Sequence, residues 1–404
     1  MPTVNELDLP FVDILSEGDR DSTLQLVREA GEHSWLVRTP FGYLLPRYED
    51  VVAILRDRRF HNAASLIIEM SGMSNPDLLR SDRPSILSAE GEVHSRLRRI
   101  VAPAFTPRAA DRFRPAMREV ISRLFAPFAM KGRIELVAAI CEPYPIPIIC
   151  RLLGAPEEDW PLFSRWATDI LRIFNGNLEE DAPYIRKAQD EIDEYVTELI
   201  ARRRSVPADD LLTDLIAAEE AGDRLSTAEL VMMSEAVLIA GTDTTRNQLA
   251  CSVALMTEHP EQWARLAERP ELAANAVEES MRVLGAVRAT GRFASEDIEY
   301  RGIVFPKGTL LSPSLQGANF DSNVFEQPER FDIERSLPAP HLTFGSGIHF
   351  CLGAWLARAE LQEALPILAA GMPDLALDGP VTWKPDTFGI WGPARLPLRF
   401  TPAG

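Results

Sequence analysis

A cysteine in a glycine-rich stretch is the residue of this chain best suited to chemistry. Cys351 lies in the segment FGSGIHFCLG, residues 344–353, directly ahead of an expected helix. The glycines allow a tight turn and a close approach of the backbone to a ligand. The positive end of a helix dipole favours a thiolate, which is a nucleophile or a metal ligand. A lone cysteine more often acts as a small apolar residue, but the glycine pattern favours chemistry here.

Other uses of this cysteine can be compared on sequence alone. His349 stands two residues away and leaves a Cys–His hydrolase open, although no family-specific nucleophile signature surrounds Cys351. A covalently attached c-type haem is excluded because the sequence C-x-x-C-H does not occur.

A second candidate for chemistry is a polar cluster inside a helix. Residues 236–240 are apolar on every face, which predicts burial, and they are followed by Gly241, Asp243 and Thr244. An acid next to an alcohol can deliver protons to a reacting group. The alternative is a hydroxyl that only bonds back to the helix backbone.

The elements that must position these residues are mostly helical. Ser226 and Glu229 form an expected capping box, and the helix can run about 50 Å to the stop at His259-Pro260. Residues 34–46 alternate around a turn and predict a hairpin. We expect further helices and short strands at the following places: helices 271–284 and 354–365, strands 292–294 and 303–305. The predicted fold class is mainly α with a small β-sheet portion.

Composition narrows the class of protein. The 404 residues carry a formal charge of -18, which argues against nucleic acid or an anionic membrane surface as partner. No run reaches the roughly 18 apolar residues of a spanning helix. Four scattered cysteines suit a reducing compartment, so we expect a cytoplasmic protein. No linker or repeat divides the chain, and we predict a single domain over residues 1–404.

The cysteine segment resembles the proximal loop of the cytochrome P450 haem-thiolate monooxygenases. The match Phe-Gly-x-Gly-x-His-x-Cys-x-Gly is complete across residues 344–353. The resemblance implies one domain around a buried haem b, with a β-rich part near 34–46 and a helical core over about 90–285. It makes Cys351 the axial iron ligand, brings His349 to a haem propionate, and puts Phe344 and Gly345 against the cofactor.

The resemblance also assigns roles on the long helix and at the cofactor edge. Gly241 would leave room for oxygen, Thr244 would hydrogen-bond dioxygen or water, and Asp243 would relay protons inward. His94 and Arg98, in a His-x-x-x-Arg pattern, would meet one propionate. Arg292 would meet the other propionate.

Two further matches concern the fold. Glu279 and Arg282 match the family's Glu-x-x-Arg, with Arg330 as the third, meander member of the ion-pair network. We assign these residues to structural support. After residues 317–319 many bacterial members have Arg-Asp, whereas this chain has Phe320-Asp321.

The implied function is insertion of one atom of O2 into an apolar organic molecule. The chain has no flavin or iron–sulfur motif, so electrons are expected from a ferredoxin and its reductase. Residues 91–120 carry seven arginines and three acids, and this arginine-rich island is a candidate docking surface. Substrate-facing candidates come from family location: residues 63–84 and 160–177, Leu238, Val287, Ile390 and Trp391.

Two alternatives stay open at this point. One is a peroxide-driven peroxygenase on the same fold, and the other is a non-catalytic haem sensor or carrier. Neither needs the acid–alcohol pair. We expect a monomer.

Overall fold

Helices make up most of the chain, as the sequence predicts. The computed structural model describes residues 1–14, 20–63, 85–172, 178–220, 225–384 and 390–402. The helices are α1 (Arg20–His33), α2 (Tyr48–Arg56), α3 (Gly91–Val101), α4 (Pro107–Phe125), α5 (Pro145–Leu153), α6 (Trp160–Leu171), α7 (Leu178–Ser205), α8 (Leu211–Glu220), α9 (Thr227–Glu258), α10 (Pro260–Glu268), α11 (Ala273–Val283), α12 (Leu315–Asn319) and α13 (Ala354–Gly371).

The longest helix, α9, begins where the capping box predicts. The Ser226 side chain accepts from the Glu229 backbone N–H at 3.2 Å, and the Glu229 carboxylate accepts from the Ser226 N–H at 2.8 Å. Thirty-two residues at 1.5 Å each span about 48 Å. Helix α13 begins at the predicted residue but continues past Pro366 to Gly371, so the predicted end was too early.

Short strands form the small β portion. They are β1 (Val37–Thr39), β2 (Gly42–Leu45), β3 (Phe60–Asn62), β4 (Arg133–Glu135), β5 (Arg292–Ala294), β6 (Ile298–Tyr300), β7 (Ile303–Phe305), β8 (Leu310–Pro313), β9 (Ala376–Leu377), β10 (Thr382–Trp383), β11 (Pro393–Arg395) and β12 (Pro397–Arg399). The predicted hairpin is β1–β2, paired Val37 with Leu44. It belongs to a five-stranded sheet in the order β1-β2-β8-β5-β3, in which only β2 and β8 run parallel.

Two clusters of buried apolar side chains pack the helices and strands together. The larger core surrounds α9 and includes the buried faces of α4, α5 and α13. The smaller core lies under the five-stranded sheet and includes Leu45, Ile54 and Phe305. The cysteine loop, residues 344–353, connects the sheet side to α13, and its 3-10 turn at Gly347–His349 packs on α2. Within the ranges given above, no helix is long and apolar enough to cross a membrane.

Candidate active site

The cysteine loop is closed by its own backbone. The Cys351 N–H donates to the Phe344 carbonyl at 2.9 Å, and the Gly345 N–H donates to Leu342 at 2.7 Å. Gly347 has φ of +72°, and a side chain there would collide with the Leu55 carbonyl of α2. This position therefore requires glycine for both its conformation and its close contact. The turn delivers Cys351 to a point three residues before α13 begins.

The electrostatics of the thiol differ from the sequence expectation. Burial raises the pKa of Cys351, while the Gly353 backbone N–H and the charges of Arg98 and Arg358 act in the opposite direction. The helix terminus alone therefore does not stabilise a thiolate here, because desolvation outweighs it. A coordinating metal deprotonates a thiol outright, so the raised pKa is compatible with this thiol serving as a metal ligand.

A cavity of about 350 Å³ lies between the cysteine loop and α9. The cysteine loop contributes Cys351 and Phe344, and α9 contributes Gly241 and Thr244. The remaining wall is largely apolar and includes the following side chains: Ile86, Leu87, Phe105, Ile149, Ala236, Val237, Met281, Val287, Leu315 and Leu356. The loop thus faces one chamber together with two members of the polar cluster that the sequence singled out, Gly241 and Thr244.

Two arginines at this cavity are suited to anionic groups. Arg292 is 3% exposed, and its guanidinium donates only to neutral oxygens, the Gly291 carbonyl at 2.8 Å and Thr290 at 3.3 Å. Burial lowers its pKa to about 10. Arg98 donates to the Phe350 carbonyl at 2.6 Å, and burial lowers its pKa as well. Neither forms an ion pair with a carboxylate in the described ranges, so both could hold the propionates of a haem.

Two histidines stand beside these arginines. The rings of His94 and His349 lie 4.3 Å apart between centroids. Burial, with the charges of His349 and Arg98, lowers the pKa of His94 to about 4, which keeps it neutral. His349 contacts the Glu90 carboxylate at 2.9 Å, and Glu90 also accepts from the Asn62 N–H at 2.6 Å. Glu90 carries no motif, and sequence reasoning missed it.

The two members of the acid–alcohol pair, Asp243 and Thr244, do not both face the cavity. Thr244 lines the cavity, and its hydroxyl donates to the Ala240 carbonyl at 2.9 Å, the back-bond that the sequence left open. Asp243 is buried behind it, paired with Arg246 and 3.8 Å from the Lys384 ammonium. A glycine at 241 also serves helix packing, because a side chain there would collide with Ile149 of α5.

A buried acid near this helix was missed by the sequence reasoning. Glu360 of α13 is 1% exposed and borders the cavity, where its carboxyl accepts from the Thr245 hydroxyl at 3.3 Å. Burial raises its pKa well above the ordinary value, which favours the protonated, uncharged form in the folded protein. The sequence signal was a glutamate on the apolar face of α13, between Leu356 and Ala364.

The substrate-facing candidates differ in their position relative to the cavity. Among the described residues that line it, Val287 is present, whereas Leu238, Ile390 and Trp391 are not. At 100° per residue Leu238 lies about 120° around α9 from Thr244, whereas Val237 lies within about 20° of it. Trp391 is 2% exposed and stacks on Trp383 at 4.4 Å instead. The candidate residues 64–84 and 173–177 lie outside the described residues.

The ion-pair network around Glu279 differs from the sequence prediction in one residue. Arg282 pairs with Glu279 through two contacts of 2.8 Å, and both side chains are fully buried. The third arginine is Arg335, whose Nε donates to Glu279 at 2.9 Å. Arg330 was the wrong choice, since its side chain extends to Asp332 and only its carbonyl accepts from Arg282. Phe320 lies under the Arg282 guanidinium at 5.7 Å.

The fold and this site define a mainly helical protein in which one cysteine and the middle of the longest helix border the same apolar chamber. The sequence profile of the cytochrome P450 family matches residues 159–368. Nocardicin C N-oxygenase of Nocardia uniformis subsp. tsuyamanensis is 38% identical over 373 residues, which cover 90% of this chain and 92% of that enzyme. Mycinamicin IV hydroxylase/epoxidase of Micromonospora griseorubida is 38% identical over 371 residues, which cover 90% and 91%.

Solved structures agree with these relatives. The crystal structure of CalO2 superposes with a TM-score of 0.88 at 30% identity, covering 96% of this chain and 97% of that one. The chain belongs to the cytochrome P450 family, whose members carry haem. It is a cytochrome P450 monooxygenase.

Proposed function

We propose that the enzyme uses haem b, ligated by Cys351, to insert one atom of O2 into an apolar organic molecule. The observation that carries the proposal is the shared cavity, which Cys351 and Thr244 both line beside two arginines that pair with no carboxylate of the described residues. Arg98 and Arg292 would hold the propionates. Haem with a thiolate ligand supplies the chemistry that cleaves the O–O bond.

The chain's own contribution to this chemistry is proton control. The Thr244 hydroxyl is a proton donor and acceptor that borders the cavity, and it is already oriented by the Ala240 carbonyl. Asp243 is held away from the cavity by Arg246 and Lys384. For Asp243 to hand a proton to Thr244, its carboxylate must leave these cations, take up a proton from solvent and turn to the hydroxyl.

Replacement of Thr244 by alanine tests this role. We expect Thr244→Ala to keep consuming NADPH and O2 with substrate present, while product formation falls roughly 10²-fold and hydrogen peroxide is released. Thr242→Ala is the matched control, because Thr242 makes the same kind of back-bond, at 3.2 Å to Ile239, away from the cavity. Equal product yields in the two variants would remove Thr244 from proton control.

The same comparison separates the two alternatives from a monooxygenase. A peroxygenase would form product from peroxide without NADPH, and Thr244→Ala would not change its yield. A haem carrier would show no substrate-dependent NADPH consumption in any variant. The Thr244 hydroxyl in the chamber is the observation that favours the monooxygenase.

The proposed substrate is apolar in the part that enters the chamber. Supporting side chains are Val237 and Ala236 of α9, Ile86, Leu87 and Val287. The relatives named above act on nocardicin C and mycinamicin IV, so a natural product of similar origin is the class to test. A spin-state titration of the purified enzyme against macrolides, terpenoids, steroids, fatty acids and aromatic acids would identify it.

We also propose an acidic ferredoxin as the electron donor, docking on the arginine-rich island of residues 91–120. Much of this island is neutralised by carboxylates elsewhere, since Arg96 pairs with Glu229, and Arg114 and Arg118 pair with Glu363. Arg99 and Arg108 are exposed and form no ion pair in the described part of the chain.

An exposed tryptophan supports the same docking surface. Trp355, in the first turn of α13, is 47% exposed. Helices α4 and α13 run in parallel, because Glu363 meets Arg114 while Gly371 meets Phe125 further along both helices. The starts of the two helices, with Arg108 and Trp355, therefore lie at the same end. Cys351 immediately precedes the start of α13 at this end.

Charge reversal tests the docking proposal. We expect Arg99→Glu with Arg108→Glu to slow reduction by a [2Fe–2S] ferredoxin at low salt, with the difference from wild type vanishing at high salt. Arg395→Glu, an exposed arginine on β11, is the control. Unchanged reduction at every ionic strength would place docking elsewhere.

We further propose a cytoplasmic location, which the four free cysteines support because thiols persist in a reducing compartment. A monomeric state and a single domain over residues 1–404 stay predictions from the sequence.

A further inference from the structure

A glutamate on α11 contacts both flanks of the cysteine loop. Glu278 receives two parallel hydrogen bonds from Arg358 of α13, Nε to Oε1 at 2.6 Å and Nη2 to Oε2 at 2.9 Å. A two-pronged, charge-assisted pair of this kind fixes geometry as well as contributing energy. Arg358 stands seven residues after Cys351, so the pair ties the chain beyond the loop to α11.

The other flank is held through a histidine. His341 stands three residues before the loop, its side chain is fully buried, and its Nε2 lies 3.3 Å from Glu278 Oε2. The Thr343 N–H donates to His341 Nδ1 at 3.2 Å, so the ring proton lies on Nε2. Nε2 is close to the carboxylate but is not aligned for a hydrogen bond with it. Although burial acts to raise it, His341 and Arg358 lower the pKa of Glu278 to about 2.

An aromatic ring of the loop sits between these two partners. The Arg358 guanidinium carbon lies 4.5 Å from the centroid of the Phe344 ring, and the His341 ring lies 5.6 Å from it. Phe344 in turn accepts the Cys351 N–H through its carbonyl. A chain of contacts therefore runs from the Glu278 carboxylate to Arg358 and His341, from both to the Phe344 ring, and from Phe344 to the backbone of Cys351.

We propose that Glu278 is a positioning residue that holds both ends of the cysteine loop, through His341 before it and Arg358 after it, and so fixes the Cys351 sulfur as haem ligand. The inference rests on the proposed haem-thiolate function. Groups around a metal ligand that touch no metal themselves orient the ligand, and their loss costs about 10- to 100-fold in metal affinity. Glu278 is distinct from its neighbour Glu279, which pairs with Arg282 and Arg335.

The test compares two neutral replacements on the haem-loaded enzyme. Glu278→Gln keeps the size of the side chain and removes the charge that holds Arg358 and His341. Glu363→Gln is the matched control, because Glu363 of α13 also pairs with arginines but contacts α4 instead of the loop. The readouts are the fraction of the reduced CO complex with a thiolate-type Soret band and the rate of haem transfer to apomyoglobin.

We expect Glu278→Gln to convert part of the CO complex to the thiol-type band and to raise the haem transfer rate about 10-fold. Glu363→Gln should match wild type in both. Identical spectra and rates in the two variants would overturn the proposal.

A second comparison keeps the proposal testable if Glu278→Gln yields little folded enzyme. Arg358→Gln removes one flank only, and it should shift the CO bands in the same direction. Where the double variant can be prepared, it should be no worse than Glu278→Gln alone, since Glu278→Gln already breaks the connection to Arg358. A wild-type CO spectrum in Arg358→Gln, or fully additive effects, would overturn the proposal. Failure of the haem-thiolate function itself would look different, because wild type would then lack the thiolate-type band.

Discussion

The buried acid Glu360 gives a quantitative test of the site's electrostatics. Replacing it by glutamine preserves the oxygen that accepts from Thr245 and removes the need to bury a proton-binding carboxyl. In the unfolded chain this carboxyl has its ordinary pKa near 4.5, whereas burial raises the pKa well above that in the fold. Folding above pH 4.5 therefore requires uptake of a proton, and wild type loses stability as the pH rises.

The size of the effect follows from one proton. Each pH unit changes the stability difference between variant and wild type by about 1.4 kcal/mol while the folded carboxyl stays protonated. The advantage of Glu360→Gln therefore grows with pH for as long as the folded carboxyl keeps its proton. With an unfolding entropy of about 2.1 cal/mol/K per residue over 404 residues, each such pH unit corresponds to about 1.6 °C in Tm.

The assay is differential scanning calorimetry of both haem-loaded proteins at pH 6, 7 and 8. We expect Glu360→Gln to melt at a higher temperature than wild type at pH 8, with the gap shrinking toward pH 6. Glu363→Gln, a partly exposed acid on the same helix, should give a gap that does not change in this way. A constant gap between wild type and Glu360→Gln would refute the assignment of a neutral acid.

Two further predictions concern the residues that the structure reassigns. Arg335→Ala should lower the free energy of unfolding by about 3–5 kcal/mol, because the buried Glu279 carboxylate loses one of its two arginine partners. Arg330→Ala should change this free energy by no more than about 0.5 kcal/mol. Chemical denaturation measures both. Val237→Phe should weaken substrate-induced spin-state changes by filling the chamber. Leu238→Ala should instead lower stability by about 2–5 kcal/mol and leave the order of ligand preference unchanged.

Local patterns predicted the parts of the fold that depend on neighbouring residues. The capping box at Ser226 placed the start of α9, and alternation around Gly42 placed the β1–β2 hairpin. The glycines around Cys351 predicted a tight turn that approaches a ligand, and Gly347 instead makes its close approach to the Leu55 carbonyl. In each case the determining contact lies within a few residues or depends on a glycine conformation.

The errors concern contacts between distant segments. Arg330 and Arg335 both lie in the meander, an irregular segment that packs near Glu279. Only the path of this segment decides which of the two side chains reaches the Glu279 carboxylate. Leu238 was chosen because it lies on α9, but the position of a residue on this helix does not by itself show whether its side chain faces the cavity. Glu360 carried no motif, since its meaning comes from burial against Thr245, 115 residues away in the sequence.

The central claim is that Cys351 is the haem ligand, and the reduced CO complex tests it most directly. The purified wild-type enzyme, reduced with dithionite under CO, should show the thiolate-type Soret band. Cys351→Ala should lose that band while any retained haem gives a spectrum without sulfur ligation. A thiolate-type band that persists in Cys351→Ala would contradict the account.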